Sequence, residues 1–211
     1  MRQKCKTEFG YTIIETMIAI SVFLVVMMTG MGSLVNANFM HQKSRDIRSI
    51  MDNLSFIMED IGRNLRTGSK YHCFTSVDGD TIPATTSSVV SAPKSCGTGG
   101  WGIAFESTNG VASNHDDQWV YYIGTNGSDS KIRIYKSDAG PYAAASFIQL
   151  TPDEVDININ ASGFSILGAE ATPTDKQQPF VTIRLVGTIT YKNIATPFSL
   201  QTSISQRFID I

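Results

Sequence analysis

Lys6-Thr7-Glu8-Phe9-Gly10-Tyr11-Thr12-Ile13-Ile14-Glu15 opens an apolar run that continues to Val35, and the reading of this stretch decides the fold. A short leader carries Arg2, Lys4 and Lys6 and ends in Gly10. From Tyr11 to Val35 a single ionisable side chain interrupts the run, that of Glu15. A bilayer core takes ~20 apolar residues at a rise of ~1.5 Å each, so this segment is long enough to span one. A carboxylate inside such a span costs roughly 2.5–3.5 kcal/mol on insertion scales and usually marks function. A cleaved secretory signal accounts for the stretch poorly, because the apolar run is too long, holds an acid and is followed by no clean small-residue cleavage site. A plain anchor accounts for the span but not for Gly10 and Glu15 together.

Working outward, the apolar run gives way to an amphipathic pattern. Ile47, Ile50, Leu54, Ile57, Ile61 and Leu65 step by three and four, which is one face of a helix. Arg45, Asp46, Arg48, Asp52, Asn53, Asp60 and Arg63 fill much of the rest. Thr67-Gly68-Ser69 reads as a stop, with Gly68 at the C′ position and Arg66 in the last turn. The spacing predicts one helix from about Tyr11 to about Arg66, its outer half lying on a sheet. The seam is too short for an independent coiled-coil stalk.

Residues 69–100 are rich in Ser, Thr, Gly and Pro and read as a loop region. From Trp101 the pattern turns strand-like: Trp101–Phe105, Gln118–Ile123, Lys131–Lys136, Ser146–Leu150, Val155–Asn160, Phe164–Leu167, Phe180–Ile189 and Phe198–Phe208. Thr125–Ser128 reads as a hairpin turn, and residues 168–178 as a polar loop. Helix first, then many short strands, places the chain in the α+β class: a long N-terminal helix, half membrane-spanning and half amphipathic, packed on an antiparallel β-sheet domain.

The 211 residues carry a net charge of -2, so no global basic field advertises nucleic-acid binding. The basic leader ahead of the span favours an N-terminus on the cytoplasmic side. Cys5 then stays inside, while Cys73 and Cys96 face an oxidising exterior where disulfides persist. Two exported cysteines allow one pairing, Cys73 with Cys96, worth ~3 kcal/mol for a loop of that length. The alternative is a pair of buried free thiols.

The leader ending in Gly10, the aromatic Tyr11, Glu15 four residues later and the apolar helix resemble the class III signal of type IV pilins and pseudopilins. Tyr11 stands where the family usually has Phe, and Thr12 is a mild departure. Thr151-Pro152 before the Val155 strand, Pro179–Ile183 and Leu200–Arg207 resemble, more loosely, the C-terminal half of PilW-like minor pilins and J-type pseudopilins. The resemblance implies four segments: a leader at 1–10, a membrane and polymerisation half of the helix at 11–35, its amphipathic half at 36–67, and an extracytoplasmic β-rich head at 68–211 that includes the loop 69–100. It implies a single-pass inner-membrane precursor with its N-terminus in the cytoplasm and its C-terminal domain outside, later part of a pilus or pseudopilus. A prepilin peptidase would cut between Gly10 and Tyr11 and methylate the new amine of Tyr11. Glu15 would pair with that amine on a neighbouring subunit; its presence argues against the first tip subunit, which in related systems lacks it. The partners implied are the peptidase, other pilins or pseudopilins, the inner-membrane assembly platform, the membrane, and nucleic acid only where the filament takes up DNA. The function implied is a structural minor pilin or pseudopilin that enters or primes a type IV pilus-like filament. The alternatives are a tip pseudopilin of type II secretion and an adhesive or DNA-binding tip subunit.

Nothing in the chain reads as an enzyme, a cofactor site or a metal site. His115-Asp116-Asp117 reads as a polar turn without a partner histidine at ligand spacing. His41 and His72 read as interfacial and loop residues, and no G-x-S-x-G elbow supports a nucleophile. Asp153, Asp156, Asp175 and Asp78-Gly79-Asp80 make no EF-hand pattern and default to a solvated acidic surface. Asn126-Gly127-Ser128 matches a glycosylation sequon but reads better as the hairpin turn. Trp101, Trp119, Tyr121 and Tyr122 read as sheet packing before they read as a sugar or DNA platform.

Overall fold

The computed structural model describes residues 10–75, 92–111, 114–125, 130–141, 146–170, 177–191 and 194–207. Most of the leader, Asp78-Gly79-Asp80, Asn126–Ser128, Asp175 and Phe208 lie outside the described residues.

Helix α1 runs Ile13–Thr67 without a break. The chain divides at Asp46 and Ile47 into two compact units. In the second unit, Ile50, Leu54, Ile57, Met58, Ile61 and Leu65 of α1 are buried, which is the predicted stripe with Met58 added and with Ile47 only half-buried at its start. Burying Leu54, Ile61 and Leu65, each 0% exposed, stabilises by roughly 1.5–3 kcal/mol apiece. The helix closes with the Gly68 amide donating to the carbonyls of Asn64 (3.0 Å) and Leu65 (3.3 Å). Gly68 is not in the left-handed region, unlike Gly99, Gly140 and Gly168. What requires glycine there is space, since a Cβ would run into the Phe105 ring.

Among the described residues ten strands follow: β1 Ser69–Phe74, β2 Cys96–Gly100, β3 Gly102–Glu106, β4 Trp119–Gly124, β5 Arg133–Ser137, β6 Ile148–Gln149, β7 Val155–Ile157, β8 Gly163–Leu167, β9 Phe180–Tyr191 and β10 Ile194–Ser205. The architecture is α+β, as the chain order implies, but the strands make two antiparallel sheets where one was expected. The first has the order β1-β3-β4-β5-β6. The second has the order β10-β9-β8-β2, with β7 also on β9. The buried stripe of α1 shares one apolar core with the inner faces of both sheets, including Tyr71, Ile103 and Tyr121 from the first and Ile166, Ile183 and Leu185 from the second.

The segment 69–100 is a loop only in part, because both of its described ends are strands. Periodicity could not show β2, whose residues Cys-Gly-Thr-Gly-Gly carry no alternation. Lys70, at φ 54°, sits where the β1 register shifts between Ser69 and His72. The longest hairpin is β9–β10, paired residue for residue from Ser205 opposite Phe180 to Ile194 opposite Tyr191. Pro197 lies within β10, the terminal strand of its sheet among the described residues. Proline is tolerated there because an edge strand does not need every N–H.

Candidate functional site

Gly10 is exposed, and a Cβ on it would meet nothing within 4 Å. Local packing therefore gives no reason for glycine at this position. Tyr11 is 82% exposed. Thr12 heads the helix: its carbonyl accepts from the amides of Glu15 (3.1 Å) and Thr16 (3.3 Å). Its hydroxyl oxygen lies 3.4 Å from the Glu15 amide that donates to it. Thr12-Ile13-Ile14-Glu15 thus has the spacing of a capping box, in which hydroxyl and carboxylate satisfy orphan donors at a helix start. That signal was present in the sequence beside the charge argument. Glu15 is the acidic residue of the first turn, where the helix dipole favours a negative charge.

From Tyr11 to Met40 every large apolar side chain is exposed, all round the helix. No Asp, Glu, Lys or Arg occurs between Glu15 and Lys43. Hydroxyls inside this stretch bond back to the helix itself: Thr16 to the Ile13 carbonyl (2.8 Å), Ser21 to Ile18 (2.8 Å) and Thr29 to Val26 (3.0 Å). Such internal satisfaction lets polar side chains sit in hydrocarbon at low cost. Gly30 and Gly32 face open space on this helix. This is one helix long and apolar enough to cross a membrane.

In the second unit the covalent feature is a disulfide. Cys73 of β1 is joined to Cys96 of β2 at a Cα–Cα distance of 6.0 Å. The bond is buried and ties the first sheet to the second. Backbone bonds flank it: the Cys73 amide donates to Lys94 (3.1 Å) and the Lys94 amide to Tyr71 (2.9 Å). Gly100 packs so closely that a Cβ would meet the Phe74 carbonyl and Cys73 Sγ. Beside Cys96, the amide of Ser95 donates to Glu170 Oε1 (2.8 Å), and the Ser95 hydroxyl donates to Oε2. Burial pushes the Glu170 pKa up, but the two hydrogen bonds from Ser95, together with one from its own backbone amide, outweigh it and hold the carboxyl below its usual range.

The remaining candidates resolve into structure. His115–Asp117 form a 3-10 turn whose Asn114 side chain accepts from the Asp116 amide; the Asp117 carboxylate accepts from the Val111 amide (2.8 Å). The His72 ring is buried, its Nδ1 2.7 Å from the Ala92 carbonyl oxygen. Tyr121 is buried, and Asn64 of α1 donates to its hydroxyl (2.9 Å). Burial drives the Tyr121 pKa far upward, and pushes that of Tyr122 up to about 12. Trp119 lies under the Lys136 ammonium at 4.1 Å. Among the described residues no group of His, Cys, Asp and Glu is placed to hold a metal ion.

Comparison with family models, with characterised proteins and with solved structures found no match. The functional reading therefore rests on the residues and their geometry.

Proposed function

We propose that this chain is a pilin-like subunit. In this reading it waits as a single-pass inner-membrane precursor, loses its leader after Gly10, and enters or primes a filament through the exposed helix. The observation that carries the reading is the helix surface from Tyr11 to Met40, apolar all round and uncovered, with one carboxylate in its first turn. A helix that is apolar on every side requires lipid or other helices around it.

Magnitudes support the membrane half of the argument. From Ile13 to Val35 the run rises about 33 Å at ~1.5 Å per residue, close to the ~30 Å hydrocarbon core. Its eleven Ile, Leu, Val and Phe residues, at about -0.3 to -0.6 kcal/mol each, contribute roughly -3 to -7 kcal/mol. That matches or exceeds the ~2.5–3.5 kcal/mol of one buried carboxylate. The span tolerates Glu15, and a partner charge would relieve it. The new amine at Tyr11 lies one helical turn from Glu15, so pairing between two copies demands an axial offset of about 6 Å. The disulfide fits a head exported to an oxidising compartment.

The test is coexpression of the full chain with a prepilin peptidase, followed by intact mass. Loss of residues 1–10 and addition of one methyl group is the expected result. An unprocessed chain, or cleavage elsewhere, overturns the proposal.

A further inference from the structure

The second sheet buries one face and turns the other outward. Ladder register identifies the outward positions: Thr182 lies opposite Ser165 and Ser203, and Arg184 opposite Gly163 and Gln201. Thr182 and Ser203 hydroxyls are 3.1 Å apart. This is a surface of hydroxyls and amides with one exposed guanidinium, whose direct cross-strand neighbours carry no charge.

Towards β2 the face opens into a cleft of about 350 Å³, lined by Thr98, Gly99, Gly100, Trp101, Ile159, Asn160 and Ser162. A second hollow shares Thr98, Asn160 and Ser162 with it and extends to Thr182, Arg184 and Gln201. Together they make one groove of mixed polar and apolar lining, with Trp101 in the first hollow and Arg184 in the second.

The groove is held in shape before any ligand arrives. The Trp101 ring packs against Phe74 at 5.6 Å and meets Tyr122 edge-on at 6.3 Å. The Asn160 amide donates to Asn158 Oδ1 (3.0 Å). Ser162 is bonded twice to Val186, donating to its carbonyl (3.0 Å) and accepting from its amide (2.8 Å). Gly99, at φ 96°, and Gly100 line the groove without side chains. Preorganisation of this kind reduces the ordering cost of binding. An aromatic ring, fixed hydroxyl and amide groups and bare backbone suit the flat, hydroxyl-edged rings of a sugar. A guanidinium with no carboxylate across the ladder from it among the described residues suits a planar anion of matching geometry.

We propose that this groove binds a polysaccharide strand bearing carboxylates, with a sugar ring against Trp101, ring hydroxyls at Thr98 and Asn160, and a uronate carboxylate at Arg184. The site lies wholly in the sheet-bearing unit and stands whether or not the chain polymerises.

The test is calorimetric titration of the full chain in detergent micelles with an oligomer of guluronate, and with maltohexaose as the uncharged control. The expected result is binding of the uronate oligomer in preference to maltohexaose. Arg184→Gln should weaken uronate binding by roughly ten- to a hundredfold, the worth of one hydrogen bond to a charged group. Thr98→Trp, from an exposed position, should block the cleft and abolish binding. Both substitutions lie on the surface, and melting temperatures matching the parent chain would show that folding is intact. Absence of uronate binding by the parent chain overturns the proposal, as does equal affinity for maltohexaose or binding unchanged by both substitutions. Cleavage at Gly10 is read separately, so failure of this site and failure of the pilin reading are distinguishable.

Discussion

At the N-terminus, Thr12 and Glu15 hold the two ends of a capping-box spacing, so the acid proposed to guide assembly also sits where it can support the helix start. Substitution separates the two roles. Glu15→Gln keeps a capping side chain and loses the charge, whereas Glu15→Ala loses both. If the charge pairs between subunits, both variants are processed at Gly10 and both fail to enter filaments, measured as the sheared fraction relative to the parent chain. Normal incorporation of Glu15→Gln would leave the carboxylate as a cap alone. Gly100 offers a steric prediction: alanine there meets the Phe74 carbonyl and Cys73 Sγ, and overpacking of this kind costs about 1–3 kcal/mol. A lowered midpoint in denaturant would register it. Glu170 gives a pH dependence. Its folded pKa is depressed, so its contribution is present above the unfolded value of ~4.3 and is lost as pH falls through the folded value. The melting difference between the parent chain and Glu170→Gln should therefore be present at neutral pH and close on acidification; a difference that widens in acid would contradict it. At this scale the sequence singled out Gly10, Glu15 and the cysteines as candidates because each departs from its surroundings, and the structure joins Cys73 to Cys96. It did not show Glu170 and Ser95, which lie 75 residues apart and meet only through the fold.

The helix and most strands were legible because burial follows period. The stripe from Ile50 to Leu65 and the alternation of β9 both appear in the burial pattern. The division into two sheets was not legible, since alternation marks faces but not partners. β2 was hidden for a different reason: its glycines have no side chains to alternate, and β8, its partner, lies far along the chain. The element that holds the core is testable by contrast along one helix. Leu54→Ala, at a fully buried position, should cost about 2–5 kcal/mol. Phe56→Ser, at a position 68% exposed, should stay within about 0.5 kcal/mol. Chemical denaturation of the full chain in micelles compares them, and a similar cost for both would mean that Phe56 packs against something on that face.

Across the whole molecule, the outward half of the groove could not be anticipated, because Trp101, Asn160 and Arg184 come together only when β2, β8 and β9 pair. The disulfide is the one covalent side-chain link between the sheets in the described residues. Replacing Cys73 and Cys96 together by serine should lower stability by about 3 kcal/mol for a separation of 23 residues. Thermal melting with and without reductant checks this, and an unchanged midpoint would mean that the hydrogen bonds around Lys94 and Ser95 hold the sheets without it. A last consequence follows from Pro197. If the chain polymerises through its helix as proposed, identical β-rich units come to high local density, and β10 presents a twelve-residue border at the end of its sheet among the described residues. An unbroken border of that length is a template for stray ladders between molecules. Pro197 removes one donor from the run, and Ser199, Gln201, Ser203 and Ser205 are exposed beside it, so in such a filament this border would resist zipping edge to edge with its neighbours.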